Sequence, residues 1–578
     1  MKFKMSAHGF CQATADCQSQ TGTTMQSAYG CVQLRKWLKQ SLFLLGADAR
    51  ARIPDGKLEV VSLVVYRRHL DRAMIGKLDC VAEQIAQAVT QAYQQQQEAQ
   101  IAWGQHKVRG LTRNRSLAAW LRNPGAHREA QQAQQQAYQA VNPTLTLLRI
   151  DQRNDQGHFA PAGALSLFSI HGTGIAPFTR PYHADVWHWF SEGVSQHWRQ
   201  RHPDFIHGAA QATHGDNTPA WIPGARGERE TRRIGQALSE QALILFDRLE
   251  TELTTDWQLA VASKELDLLA DLGASDEQLC PRAVVGTPVV GAAHGDEVFP
   301  LSYTPPFRAG SARKLHVEGC QGHKYWMLSA LQRLLPAQTF PHRALVQIIQ
   351  INDQVLLTLP WEVTYEAGNR LRQSIQDSYQ GRHPVQVEVA SLANGYLGYA
   401  VTPEEYQAQY YEGGHTLYGP NTLPYLQQQS QRLARLLLEQ GGIDAIPQQS
   451  RFQLRQRDYY QLQPLAAPIV RQWLGEPHYE EGDWQLPSHW VVDLVAEPAR
   501  ALALHQPLLS VYCTGAAGDY RETDDDGNLE LRHLEDRDDR GVYRIRWYTE
   551  PLAVTGECRL QLHGSASGQP LAVTLPGP

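Results

Sequence analysis

The sequence predicts a mixed α/β domain followed by a small all-β sandwich. Three observations carry this prediction. Up to about residue 450, apolar runs of strand length alternate with stretches of helical periodicity. Beyond that point the apolar runs are all short and alternating, with no helical stretch between them. At 578 residues the chain has room for several domains of ordinary size.

Each element has its own signal. Val81, Ile85, Ala88, Val89 and Ala92 follow helical spacing and predict a helix over 80–93, leaving through Gln94–Gln97. Leu145–Leu148 and Ala164–Ile170 read as strands, the second buried. Ile234, Leu238, Leu245 and Leu249 form one stripe of a helix over 230–249. Leu345–Leu359 reads as a hairpin turning at Asn352-Asp353, and 421–438 as a second long helix. In the last part the strands are WVVDLV (490–495), LLSVY (508–512), VYRIRWY (542–548) and CRLQLHG (558–564), with acidic turn material at Asp524-Asp525-Asp526-Gly527. The boundary falls at 450–465. The expected division is a poorly legible segment 1–75, a mixed domain 76–455 to which that segment belongs, and a sandwich 456–578.

Composition excludes several classes. Hydrophobic residues make up 42% and charged residues 19%, so the chain can build a core and is not globally disordered. Lys+Arg is 53 against Asp+Glu 59, which leaves no basic excess for a phosphate backbone and argues against nucleic acid as a partner. No apolar run reaches the length of a transmembrane segment. The stretch 1–30 is polar and Leu42–Leu45 is too short for a signal-peptide core, so no export signal is legible. The eight cysteines are scattered without a C-x-x-C pair, which leaves no zinc-finger or thioredoxin pattern but room for a few individual bridges.

Four segments combine polar residues with strand ends and turns. Thr112–Ser116 holds Arg113 and Arg115, suited either to gripping a carboxylate or to a solvated turn. His171 follows the buried strand and precedes flexible Gly172 and Gly174, a placement that serves a cleft or simply the core. The loop Gly208–Pro219 presents an Asp, a His and two Thr; Thr218 is a hydroxyl for catalysis or for an ordinary Asx/ST turn. Glu362 stands just past the hairpin, and Tyr396, Tyr399, Tyr406, Tyr410 and Tyr411 crowd the region 394–414. A buried Glu is costly unless paired or metal-bound, and the tyrosines line a polar pocket or pack as aromatics.

Taken in order, these segments resemble the neutral/alkaline non-lysosomal ceramidases. The resemblance runs from about 75 to 450, with a looser fit to the end. It is carried by LTRNRSLAAWLRNP (111–124), SIHGT (169–173), AQATHGDNTP (210–219), LPWEVTYEAGNRLR (359–372) and NGYLGYAVTPEEYQAQYYEGGHTLYGPNTL (394–423). The last is the most specific, through its length and tyrosine spacing. The resemblance implies a Zn2+-dependent amidase that splits the N-acyl bond of ceramide, or a related N-acyl lipid, into a fatty acid and an amine base. It also implies an immunoglobulin-like C-terminal sandwich and contact with a peripheral membrane surface. Members are commonly secreted or surface-associated. His171, Glu362 and Tyr399 match metal ligands, Arg115 an active-site arginine, and Tyr411 the donor to the transition-state oxygen. Thr218 matches the position of a catalytic serine, and Asp185 an aspartate that supports the site or structures its loop.

Two departures from the family pattern stand out. Thr218 replaces the serine, which favours a donor or positioning role over a nucleophile, and Ala220 replaces the Asn after the proline. The H-x-H-S-G-P-type segment that supplies another histidine ligand is not found; residues 40–75 hold only His69. Three readings follow: an altered N-terminal segment, completion of the site by His69, His106 or His183, or a non-catalytic protein that binds a lipid or partner. A hydrolase acting on a different amide is a further alternative.

Overall fold

The computed structural model describes most of residues 94–575; outside the described residues lie 1–93, 127–132, 180–182, 274–277, 315–318, 327–331, 442–464, 466–468, 484–485, 503–507, 516–517, 538–539, 550–556, 564–570, the last three residues and a few single positions. The predicted helix over 80–93, His69 and most of the 450–465 boundary therefore lie outside the described residues.

The first half contributes strands β1 (Ala99–Lys107), β2 (Thr112–Asn114), β3 (Thr144–Arg153), β4 (Phe159–Phe168), β5 (Ile206–Gln211) and β6 (Asn217–Pro219). Its helices are α1 (Leu117–Trp120), α2 (Ala133–Gln139), α3 (Val186–Arg199) and α4 (Glu228–Arg248). One sheet has the order β1-β3-β4-β5, with β4 and β5 parallel and α3 crossing between them. β3 is central and buried on both faces, which is why its apolar run is nearly unbroken. Leu145 and Leu147 pack against α3 and α4 on one side. Leu148 and Ile150 face the second sheet on the other, as a period of two requires.

The second sheet is built from β7 (Leu259–Asp267), β8 (Arg343–Ile351), β9 (Gln354–Leu359) and β11 (Gln386–Ser391), in the order β11-β9-β8-β7. The predicted hairpin is β8–β9, and Asn352 takes φ 54° at the turn, a conformation Asn tolerates. The outer face of this sheet packs on α5 (Tyr365–Ser378) and, beyond the short helices α6 (Pro403–Ala408) and α7 (Tyr411–Gly414), on α8 (Thr422–Gln440). The layers therefore run helices, sheet, sheet, helices. The predicted helices over 230–249 and 421–438 are α4 and α8, each shifted by one or two residues.

Two small ladders complete the positioning. β10 (Glu362–Val363) pairs in parallel with β12 (Tyr399–Ala400), and β2 pairs antiparallel with β6. The parallel pairs govern where the chain leaves each sheet. Phe168 is registered with Gln211, so the segments after β4 and β5 emerge side by side. Leu359 is registered with Ser391, so β9 and β11 likewise deliver the segments that lead to β10 and β12 together. Loops at the carboxyl ends of neighbouring parallel strands are the usual place for a ligand site.

The C-terminal strands β13 (Gln472–Glu480), β14 (His489–Ala496), β15 (Leu509–Gly515), β16 (Gly518–Asp524), β17 (Leu529–Arg537), β18 (Arg540–Trp547), β19 (Cys558–Leu562) and β20 (Leu571–Leu575) form two antiparallel sheets, β13-β14-β18-β17 and β16-β15-β19-β20. Leu494, Ile545 and Trp547 from one sheet share a buried core with Leu509, Val511 and Leu560 from the other. Disulfides join Cys280 to Cys320 and Cys513 to Cys558, the latter across the registered pair of β15 and β19. This sandwich rests on α3 and α4: Arg232 forks onto Glu522, Gln196 donates to the Arg521 carbonyl, and Asn528 donates to Glu228.

Candidate functional site

His171 and Glu362 meet at the mouth of the two sheets. His171 is buried; its Nδ1 donates to the Asn217 carbonyl at 2.8 Å, while Nε2 lies 2.8 Å from Glu362 Oε2 and 3.3 Å from the Tyr399 hydroxyl. Burial, reinforced by the Arg115 charge, lowers the imidazole to about 4. Burial would also favour a neutral Glu362, but its contacts with the imidazoles of His171 and His214 outweigh it and hold the carboxyl well below its usual range. The pair is thus a neutral imidazole beside a carboxylate. Tyr396 donates to the other carboxylate oxygen at 3.0 Å.

Tyr399 comes to Glu362 through backbone register, as its partner in the β10–β12 ladder. Gly398 before it has φ +78°, and a Cβ there would sit 2.4 Å from the His415 carbonyl. Arg115 is buried and holds three partners: Nε reaches Glu412 at 2.9 Å, and Nη2 donates to the Gly215 carbonyl at 3.0 Å and the Tyr399 hydroxyl at 2.9 Å. Its guanidinium lies over the Tyr411 ring at 5.4 Å. Tyr411 meets Tyr399 edge to face at 5.7 Å. Burial is the leading cause that raises the phenols of Tyr396, Tyr399 and Tyr411 above their ordinary value.

The structure brings five of the six sequence-predicted site residues into one cluster: His171, Glu362, Tyr399, Arg115 and Tyr411. Thr218 is set differently. It lies in β6 opposite Arg113, and its hydroxyl bonds to that of Thr173 at 2.9 Å. No hydrogen bond joins Thr218 to His171, Glu362 or Tyr399 among the described residues; the link is through the neighbouring Asn217 carbonyl. Asp185 structures the loop after His171: it caps α3 and accepts the backbone N–H groups of Gly174, Ile175 and Val186.

Of the histidines proposed to complete the site, His106 and His183 do not do so, and His69 lies outside the described residues. His106 sits on β1 and bonds Gln241 at 3.0 Å, and His183 accepts the backbone N–H of Asp185 at 3.1 Å. Neither belongs to the cluster able to hold a metal ion, which among the described residues is His171, His214 and Glu362, with ligand atoms within 4.8 Å of one another. Sequence reasoning included His214, Tyr396 and Glu412 in its candidate segments without assigning them a role, and passed over His415. His214 is wholly buried, its ring centroid 4.6 Å from that of His171 and its Nε2 at 3.5 Å from Glu362 Oε2, in ion-pair range but without hydrogen-bond geometry. His415 packs among Tyr396, Tyr399 and Tyr411, and burial lowers it to about 4. The signal for His214 lies in the fold: it stands as far past β5 as His171 does past β4.

The chain is similar to known proteins over this whole region. The family model described as neutral/alkaline non-lysosomal ceramidase, N-terminal, matches residues 74–244 and 307–428, about half of the chain. The neutral ceramidase of Pseudomonas aeruginosa is 26% identical over 377 residues, covering 61% of this chain and 53% of that protein. That of Mycobacterium tuberculosis is 27% identical over 394 residues, covering 62% and 58%. Neutral ceramidase B of Dictyostelium discoideum is 23% identical over 579 residues, covering 89% and 77%. The chain thus spans little more than half the length of the first two of these relatives. A solved structure described as a ceramidase complexed with C2 shares the fold, with a TM-score of 0.60 and 23% identity over 86% of this chain and 79% of that one. With the family model matched across both halves of the mixed domain, the chain belongs to the neutral/alkaline non-lysosomal ceramidase family.

Proposed function

We propose that this protein is a zinc-dependent amidase that hydrolyses the N-acyl bond of ceramide, or of a related N-acyl lipid, to a fatty acid and an amine base. Family membership supports the reaction class. The observation that carries the metal is the tautomer of His171. Its Nδ1 proton is committed to the Asn217 carbonyl, so the Nε2 lone pair points at an ionised Glu362 and at a phenol oxygen. A cation between the imidazole lone pair and the carboxylate would satisfy both in a dry site, and a backbone-tethered imidazole, a carboxylate and a phenol are ligands of the kind zinc takes.

His171, Glu362 and Tyr399 would hold the ion. When bound, zinc supplies Lewis acidity, polarising a carbonyl and lowering the pKa of water towards about 7. The protein's own groups do the rest. Tyr411 keeps its proton because burial raises its pKa, so it can donate to the oxygen on which charge develops. Arg115, fixed by Glu412 and the Gly215 carbonyl, orients both tyrosines. Thr218, held by Thr173 beside the Asn217 carbonyl, serves as a positioning hydroxyl rather than a nucleophile.

The same reading divides the chain into a catalytic domain 76–455, which segment 1–75 joins, and an immunoglobulin-like domain 456–578; the two facing antiparallel sheets support the latter. It includes peripheral contact with a lipid surface, from which a lipid substrate would be drawn. No helix among the described residues is long and apolar enough to cross a membrane.

The test is release of fatty acid from an N-acyl sphingoid base in detergent micelles by zinc-loaded protein. Turnover abolished by Glu362→Gln supports the reading. A zinc-loaded wild type that cleaves no member of an N-acyl amide panel contradicts it.

A further inference from the structure

We propose that His214 is a metal ligand, and that the 212–218 loop thereby supplies a second imidazole to the centre. The inference rests on the metal-centre part of the reading above, not on its substrate.

The two imidazoles arise from one piece of geometry. β4 and β5 are parallel neighbours with Phe168 opposite Gln211, and each histidine stands three residues further on, at 171 and 214. Both turns come off the carboxyl edge of the sheet in step, and both rings reach the same carboxylate oxygen, at 2.8 Å and 3.5 Å.

The orientation of His214 is that of a ligand. Its Nδ1 donates to the Ala212 carbonyl at 3.1 Å, as the Nδ1 of His171 does to that of Asn217. A carbonyl accepts a hydrogen bond and never donates one, so in each ring Nδ1 holds a proton and, in the neutral imidazole, Nε2 carries the lone pair. A metal-binding histidine is oriented in this way, its second nitrogen donating to a backbone carbonyl. The His214 Nε2 is buried and has no hydrogen-bond partner. Leaving such an atom unpaired is costly in a dry interior, and a shared cation removes that cost.

The loop is built to bring the ring there. Gly215 donates to the Val363 carbonyl at 2.8 Å, and a Cβ at 215 would lie 2.9 Å from the Glu362 carbonyl and 3.0 Å from the Thr364 nitrogen. Only glycine lets the backbone beside His214 approach the strand that carries Glu362. The same loop holds His171 through Asn217 and presents Thr218, so one short segment would carry a ligand, orient another and place the hydroxyl.

X-ray absorption at the zinc edge, with zinc content after dialysis, tests this on the full chain. Wild type should show two imidazoles and one ion per chain. His214→Gln should show one imidazole and bind zinc more than about 100-fold more weakly, beyond the loss expected for a supporting hydrogen bond. His69→Ala, His106→Ala and His183→Ala should each keep two imidazoles, which holds the test open if His214→Gln does not fold. One imidazole in the wild type, or an unchanged spectrum in His214→Gln, overturns the proposal. Zinc held through two imidazoles in a protein without amidase activity would sink the substrate reading and leave this one standing.

Discussion

Glu362 and Tyr399 are registered partners in a parallel ladder of only two residues, so carboxylate and phenol stand side by side by backbone pairing rather than by side-chain reach. Their geometry is therefore as rigid as the sheet whose neighbouring strands β9 and β11 feed the ladder. Perturbing the backbone around it should cost function as much as altering the side chains.

Gly215→Ala tests this. A Cβ would press on the backbone of residues 362–364, which cannot yield as a flexible side chain would. We expect a loss of about 1–3 kcal/mol in stability and a larger fractional loss of zinc binding. Denaturant melts and metal titration on the same preparation separate the two effects; unchanged zinc affinity would argue against a rigid ladder.

Tyr411→Phe removes one donor and leaves the ring packed on Arg115 and Tyr399. Loss of a transition-state donor costs about 100- to 1,000-fold in kcat, with KM and zinc content near wild type. Thr218→Val should cost less, and Thr218→Ser should remain active. Steady-state kinetics of the three variants rank the roles; a larger loss for Thr218→Val than for Tyr411→Phe would restore Thr218 as the chief catalytic group.

Arg115 bonds three different partners from two nitrogens, a task that the single ammonium of lysine cannot reproduce. Arg115→Lys should fold yet lose most activity. Arg115→Ala, which strands Glu412 in a dry site, should lose about 3–5 kcal/mol of stability. Thermal unfolding and turnover of both variants check the contrast.

Glu405 gives a pH signature away from the metal. Burial raises its carboxyl to about 7, against the hydrogen bonds from Thr364 and Asn123 that favour ionisation. A carboxyl raised in the folded state contributes stability fully below its unfolded value near 4.5. That contribution is lost as pH rises through about 7. Wild type should therefore lose stability relative to Glu405→Gln between pH 4.5 and 7. A difference in melting temperature that does not change with pH over this window would contradict the assignment.

The sequence made some of this plain and hid the rest for physical reasons. β3 announced itself because a strand buried on both faces is apolar throughout, and the β8–β9 hairpin because Asn352 marked the turn. β5, with the sequence IHGAAQ, is built of small and polar residues; without it as a strand, the equivalence of His214 and His171 could not be seen. β7 and β13 are edge strands whose half-exposed, partly charged residues show no clean alternation. β10 and β12 are too short for any periodicity, so the partnership of Glu362 and Tyr399 was reachable only through the family resemblance. Glu412 was hidden because its partner Arg115 lies far away in sequence and meets it only through the tertiary fold.

The central claim is that His171, Glu362 and Tyr399 share one cation. Zinc per chain, measured by elemental analysis after loading and exhaustive dialysis, tests it most directly. The account predicts one ion in the wild type and far less than one in a folded Glu362→Ala. A wild type that never retains stoichiometric zinc, or a Glu362→Ala that retains it undiminished, would contradict it.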